Sequence, residues 1–155
     1  MNLPDKNSDT PIGVIIVNYN AGDILLHCVD SILNLDSELK IVIVDNASTD
    51  DSLFQLQSTF PNDSRLCIIQ NEENLGFAVA CNIGTRATQS EYLFYLNPDC
   101  KIHEDAISKL LSCLTTGDRI GMVGGLLLNS YGSEQVGSRR SIPPPWRSLV
   151  RVLHL

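Results

Sequence analysis

The chain reads as an α/β domain built on a doubly wound, mostly parallel sheet, and three observations carry that expectation. Residues 12–17, 41–44 and 92–96 are apolar runs, the first two β-branched throughout or nearly so, as strands buried on both faces should be. Helical periodicity fills the intervals between them, which implies right-handed crossovers and parallel pairing. Each run also stops at amide or carboxylate side chains: Asn18-Tyr19-Asn20, Asp45-Asn46 and Asn97-Pro98-Asp99. Parallel strands would gather those groups at one sheet edge, a place suited to a phosphorylated ligand and a metal.

The elements follow in order. Ile12-Gly13-Val14-Ile15-Ile16-Val17 is the first central strand. From Asp23, Ile24, Leu25, Val29, Ile32 and Leu33 recur at helical spacing, and the pattern ends near Asn34-Leu35-Asp36. Ile41-Val42-Ile43-Val44 is the second buried strand, and Ser48-Thr49-Asp50-Asp51 has the form of a capping box, so the next helix is expected to open there. That helix carries Leu53, Phe54 and Leu56 and breaks at Phe60-Pro61-Asn62-Asp63. Residues 65–70 form a weaker third strand. A helix over residues 77–87, entered through Asn74-Leu75-Gly76, leads to the strand at 92–96. A helix over 104–115 follows, with Ile107, Leu110, Leu111 and Leu114 on its apolar side, and then a fifth strand over 120–128, softened by Gly121, Gly124 and Gly125. Pro143-Pro144-Pro145 reads as a linker before a short apolar helical face at Trp146, Leu149, Val150 and Leu153.

Bulk properties narrow the function. At 155 residues the chain is one ordinary domain, and 43% hydrophobic with 19% charged residues is a soluble globular composition. No apolar run approaches the roughly 18 residues of a membrane span, and the polar start lacks a signal-peptide core, so a cytoplasmic location is expected. A formal net charge of -7 leaves no broad basic face for nucleic acid. An acidic chain that handles a diphosphate must offset repulsion locally, and a divalent cation is the economical means. The five cysteines are scattered, with no C-x-x-C pair, and read as reduced packing groups. His27, His103 and His154 are isolated and show no ligand spacing.

Taken together, Val17-Asn18-Tyr19-Asn20, Val44-Asp45-Asn46-Ala47-Ser48-Thr49-Asp50, Asn74-Leu75-Gly76-Phe77-Ala78, Asn82-Ile83-Gly84 and Leu96-Asn97-Pro98-Asp99 resemble the family 2 glycosyltransferases. The likeness is strongest to their rhamnosyltransferase-like branch, in which N-P-D stands where many relatives have D-x-D. The resemblance implies a GT-A fold over residues 12–140, with residues 1–11 as an extended or disordered start and 141–155 as a Pro-rich linker and the beginning of a helix. It also implies a nucleotide-diphosphate-sugar donor (dTDP- or UDP-linked, with rhamnose a candidate sugar), Mg²⁺ or Mn²⁺, and transfer with inversion to a saccharide or lipid-linked saccharide. The setting would be bacterial surface polysaccharide synthesis, at or near the inner face of the plasma membrane.

By the same resemblance, Asp45 and Asn46 contact the nucleoside, Asn18, Tyr19 and Asn20 form the loop under the base, and Asn74, Gly76 and Phe77 lie beside the donor. Asp99 is the metal-binding carboxylate, and Asn97, where D-x-D has an aspartate, hydrogen-bonds ribose or sugar instead. A hard carboxylate suits a cation that offsets charge developing on a departing diphosphate, and one suffices because such ions keep waters and take phosphate oxygens. Each motif has a plainer alternative. Asp45-Asn46 and Asn97-Pro98-Asp99 are also good turn formers, Ser48 and Asp51 read as capping residues, and Arg139-Arg140 is either a diphosphate contact or a solvated pair.

An inverting transferase also needs a general base to take the acceptor proton. Beyond Asp118 the only acidic residue is Glu134, in a Gly/Ser-rich stretch. The chain therefore reads as the N-terminal, donor-binding part of a longer transferase, expected to bind nucleotide, to transfer sugar poorly, and to self-associate through uncovered apolar surface. A noncatalytic nucleotide-sugar-binding or interaction module is the alternative function. A nicotinamide-binding domain would fit the βαβ order but lacks the G-x-G-x-x-G turn after the first strand.

Overall fold

A computed structural model of the chain describes residues 12–35, 38–136 and 138. The element order is β1 (Ile12–Asn18), α1 (Asp23–Leu33), β2 (Leu39–Asp45), α2 (Ser52–Thr59), β3 (Leu66–Gln70), α3 (Phe77–Ala87), β4 (Tyr92–Leu96) and α4 (Ala106–Leu114). The four strands form one parallel sheet in the order β3-β2-β1-β4. This is the α/β, doubly wound arrangement expected from the alternation. Two compact units divide the chain at residues 104 and 105, and the sheet lies wholly within the first.

Strand position explains the burial pattern. Every residue of β1 is buried, as are all but Lys40 in β2, because these two strands are central and covered on both faces. Edge strands β3 and β4 are only partly covered. Right-handed crossovers put α1 and α2 on one face, where they pack on each other, and α3 on the other, against β1 and β2. Val17, Val42, Val44 and Ala80 form the core on the α3 side. Gly84 permits the close approach there: a Cβ at this position would lie 2.6 Å from Ile15 Cγ2. On the opposite side Leu25, Cys28, Val29 and Ile32 of α1 and Leu56 of α2 are buried to within 1%. Full burial of each aliphatic side chain contributes about 1.5–3 kcal/mol.

The order in which strands are added changes side at β1, whose neighbours are β2 on one side and β4 on the other. The crevice beyond the carboxyl ends of β1 and β4 is therefore the topological switch point, where sheets of this kind take their ligands.

Two expectations need correction. No strand forms over residues 120–128. Leu128 instead makes one antiparallel bridge to Glu134, closed by a turn in which the Asn129 and Gly132 amides donate to Ser133 O and Asn129 O. Three glycines raise the entropic cost of an extended segment. The capping box does not form either. Helix α2 opens at Ser52 behind Asp51, whose side chain makes no cap bond, because the Ser48 hydroxyl is committed elsewhere. The expected N-terminal segment, the Arg139-Arg140 pair, the proline linker and the final helix lie outside the described residues.

Candidate functional site

The parallel register places Asn18 directly beside Asp45 and Asp45 beside Gln70, so the tips of β1, β2 and β3 end level. Leu96 lies beside Ile16, and the chain then passes into Asn97-Pro98-Asp99 just beyond the same edge. Sequence alternation decides the face: Asn18 and Asp45 share theirs with Ile16 and Ile43, opposite the side covered by α3.

The centre of the site is the Asn18 amide, which is 0% exposed. Its Nδ2 donates to Asp45 Oδ1 at 2.7 Å, Ser52 Oγ at 2.8 Å and Ser48 Oγ at 3.0 Å. Asp45, 3% exposed, also accepts at Oδ1 from the Ser48 hydroxyl at 2.5 Å and at Oδ2 from the Ser48 amide at 3.0 Å. Ser52 Oγ in turn donates a hydrogen bond to Asp50 Oδ1 at 2.6 Å. Such a chain of donors lets a carboxylate stay buried, since a charge in the interior is tolerated only when its lone pairs are filled.

Further bonds stitch the loop after β1 to the loop after β2. The Asn20 amide donates to Ser48 Oγ, the Thr49 amide to Asn20 Oδ1, the Gly22 amide to Asp50 Oδ2 and the Asn46 amide to Asn18 O, all within 2.8–2.9 Å. Asn46 is buried, and its Oδ1 accepts from Asn71 Nδ2 at 2.8 Å. Asn20 at φ 52° and Ala47 at φ 61° both take the left-handed conformation. For Ala47 that costs about 1–2 kcal/mol, strain that the surrounding bonds must hold.

The third tip is built differently. Asn97 and Asp99 are exposed, and Asp99 Oδ1 accepts only a weak Cys100 S–H bond at 3.6 Å among the bonds described. Cys28 of α1 donates to Asn97 O at 3.6 Å, which fastens the loop to the helix beneath it. Burial pushes the Cys28 thiol up to about 12, so it stays a protonated packing group as expected. Among the described residues no cluster of three or more His, Cys, Asp or Glu side chains could hold a metal alone. The Asp99 carboxylate is a hard oxygen donor left open to solvent, which fits a divalent ion that draws its remaining ligands from water and a substrate.

Of the other expected residues, Tyr19 is 53% and Phe77 57% exposed. Asn74 Oδ1 accepts from the Gly76 amide at 3.0 Å, and Gly76, at φ 80°, turns the chain into α3. No described hydrogen bond joins the Asn74–Phe77 stretch to the Asn18–Asp45 group. Sequence reasoning missed Ser52 altogether and gave Ser48 to helix capping. No local signal marked them, because Ser48 lies in the loop after β2 and only the tertiary pairing brings both hydroxyls to the Asn18 amide.

With this geometry in place, residues 13–152 match the model for Glycosyl transferase family 2. An uncharacterized glycosyltransferase of Haemophilus influenzae is 32% identical over 117 residues, covering 75% of this chain and 36% of the relative. A chondroitin synthase of Escherichia coli is 30% identical over 131 residues, covering 77% of this chain and 19% of the relative. Among solved structures, the mannosyltransferase PcManGT from Pyrobaculum calidifontis, in complex with GDP-Man and Mn²⁺, superposes with a TM-score of 0.63 at 25% identity, over 71% of this chain and 33% of its own. The chain thus spans at most 36% of the length of these proteins.

Proposed function

Because the chain belongs to glycosyl transferase family 2, we propose that its strand-tip site binds the nucleoside diphosphate of a sugar donor for an inverting transfer to a saccharide or lipid-linked saccharide. The observation that carries this reading is that one sheet edge presents a hydrogen-bonded carboxylate, Asp45, at the end of β2 and an open carboxylate, Asp99, just after β4, on the two sides of β1. Asp45 and Asn46, with the exposed ring of Tyr19, serve the nucleoside end. Asn20, Asn74, Gly76, Phe77 and Asn97 border the donor.

Asp99 would hold Mg²⁺ or Mn²⁺ against the diphosphate, and the Mn²⁺ in PcManGT supports a divalent ion there. The ion when bound would neutralise charge on the departing diphosphate. Transfer forms a bond from acceptor oxygen to the anomeric carbon and breaks the bond from that carbon to the diphosphate, while the acceptor proton passes to a base. No described residue is assigned as that base. The polysaccharide setting is supported by the relative named a chondroitin synthase, and rhamnose by the N-P-D resemblance alone.

Calorimetric titration with UDP, dTDP and GDP, each with and without Mn²⁺, tests the reading on the unaltered chain and on Asp99→Ala. One nucleotide is expected to bind more tightly with Mn²⁺, and Asp99→Ala to abolish that increment. Absence of binding by all three would refute the donor site, whereas an increment surviving in Asp99→Ala would refute the metal role.

A further inference from the structure

Asn18 stands out because its amide is oversubscribed on one side and orphaned on the other. Two Nδ2 hydrogens face three acceptors, while Oδ1, fully buried, has no hydrogen-bond partner among the described residues. Turning the amide over would not help. Ser48 already donates its hydroxyl proton to Asp45 and Ser52 donates its own to Asp50, so the pocket offers lone pairs where the amide now points. Asp45 Oδ1 can only accept when ionised, and an amide oxygen set against it would repel. The orientation is therefore fixed by chemistry, and it leaves a buried carbonyl oxygen unsatisfied, an arrangement that stability alone disfavours.

We propose that Asn18 is a positioning residue: it holds the Asp45 carboxylate and the Ser48 and Ser52 hydroxyls in the arrangement that receives the nucleotide, and does not itself touch it. This rests on the donor-site reading above. Full burial keeps the Asn18 side chain from the ligand, and both amide hydrogens are already spent. Asp45 keeps one lone pair at Oδ2 for a ligand donor, since that oxygen accepts one described bond, from the Ser48 amide. The only other titratable group in this bonded set is Asp50, one step further along through Ser52.

Asn18→Asp supplies a test that an ordinary packing role would not pass. It sets a second carboxylate beside Asp45, and such a pair regains a shared proton, hence a donor between its oxygens, as pH falls. The variant and the unaltered chain are titrated with UDP, dTDP and GDP in Mn²⁺, with far-UV circular dichroism confirming the fold under each condition. The variant is expected to bind about tenfold or more weakly near pH 7.5, and the ratio of the two affinities to close by about threefold or more near pH 5.5. Equal affinity near pH 7.5, or the same deficit at both values, overturns the proposal.

Should Asn18→Asp fail to fold, Asn18→Ser removes the amide without adding charge and is expected to lose about tenfold in affinity; unchanged affinity in it overturns the proposal. If the unaltered chain binds none of the three nucleotides, the donor reading fails. The positioning claim is then decided by NMR, through the Ser48 amide proton, which is bonded to Asp45 Oδ2. A resonance displaced in Asn18→Ser against an otherwise unchanged spectrum upholds it, and an unmoved one overturns it.

Discussion

The tips of β1 and β2 and the tip of β4 lie at the same sheet edge yet are built on opposite plans. At the first, a carboxylate 3% exposed is held by three bonds to Asn18 and Ser48, inside a seam that forces Ala47 into a left-handed conformation. At the second, Asp99 stands in solvent with one weak sulfur contact. Strand position accompanies the difference: among the described residues β1 and β2 are central and β4 lies at the edge of the sheet. The difference separates two kinds of work. A buried, bonded group presents fixed geometry to a neutral, shaped ligand, while an open carboxylate keeps the freedom to meet a hydrated ion and changing phosphate oxygens.

If the plans are truly different, substitutions at the two tips should part company. Asp45→Ala strands the Ser48 amide and the Ser48 hydroxyl and takes one of its three acceptors from the Asn18 amide, and is expected to lower stability by about 3 kcal/mol in urea denaturation and to abolish nucleotide binding. Gly84→Ala, away from both tips, would drive a methyl group against Ile15 and is expected to cost about 2 kcal/mol while leaving affinity per folded molecule unchanged. Asp99→Ala should shift stability by less than about 0.5 kcal/mol while removing the metal increment in binding. A large loss of stability in Asp99→Ala, or none in Asp45→Ala, would erase the distinction.

The strands and helices of the sheet unit were legible because central β-strands must be apolar and α-helices must show their period. The order β3-β2-β1-β4 was not, and it is shared with nicotinamide-binding sheets. What separates the two is the loop Asn18-Tyr19-Asn20-Ala21-Gly22, with no glycine-rich turn, together with the family match. Asp45 and Asp99 could be picked out as strand-tip carboxylates, but nothing local says that one is buried and the other open. Ser48 misled because S-x-x-D suits a helix start, and only the tertiary pairing of β1 with β2 brings Asn18 and Asp45 close enough to claim its hydroxyl. The segment 120–128 misled because apolar content alone does not make a strand, and three glycines weigh against one.

The smallest expected effect concerns the outer end of the seam and sharpens the comparison by grading it. The Ser52 hydroxyl, and after it the Gly22 and Ser52 amides, hold the Asp50 carboxyl below its ordinary value against a weaker opposing effect of burial. A carboxyl depressed on folding stabilises the fold at pH above its unfolded value, and that contribution disappears as pH falls through the folded one. Unaltered chain and Asp50→Asn are therefore expected to differ in Tm near pH 7 and to converge as the pH falls below about 4. The gap should be small, because Asp50 is exposed and water screens what its bonds contribute. A gap that stays constant over the acid range would mean that Asp50 acts through shape and not charge.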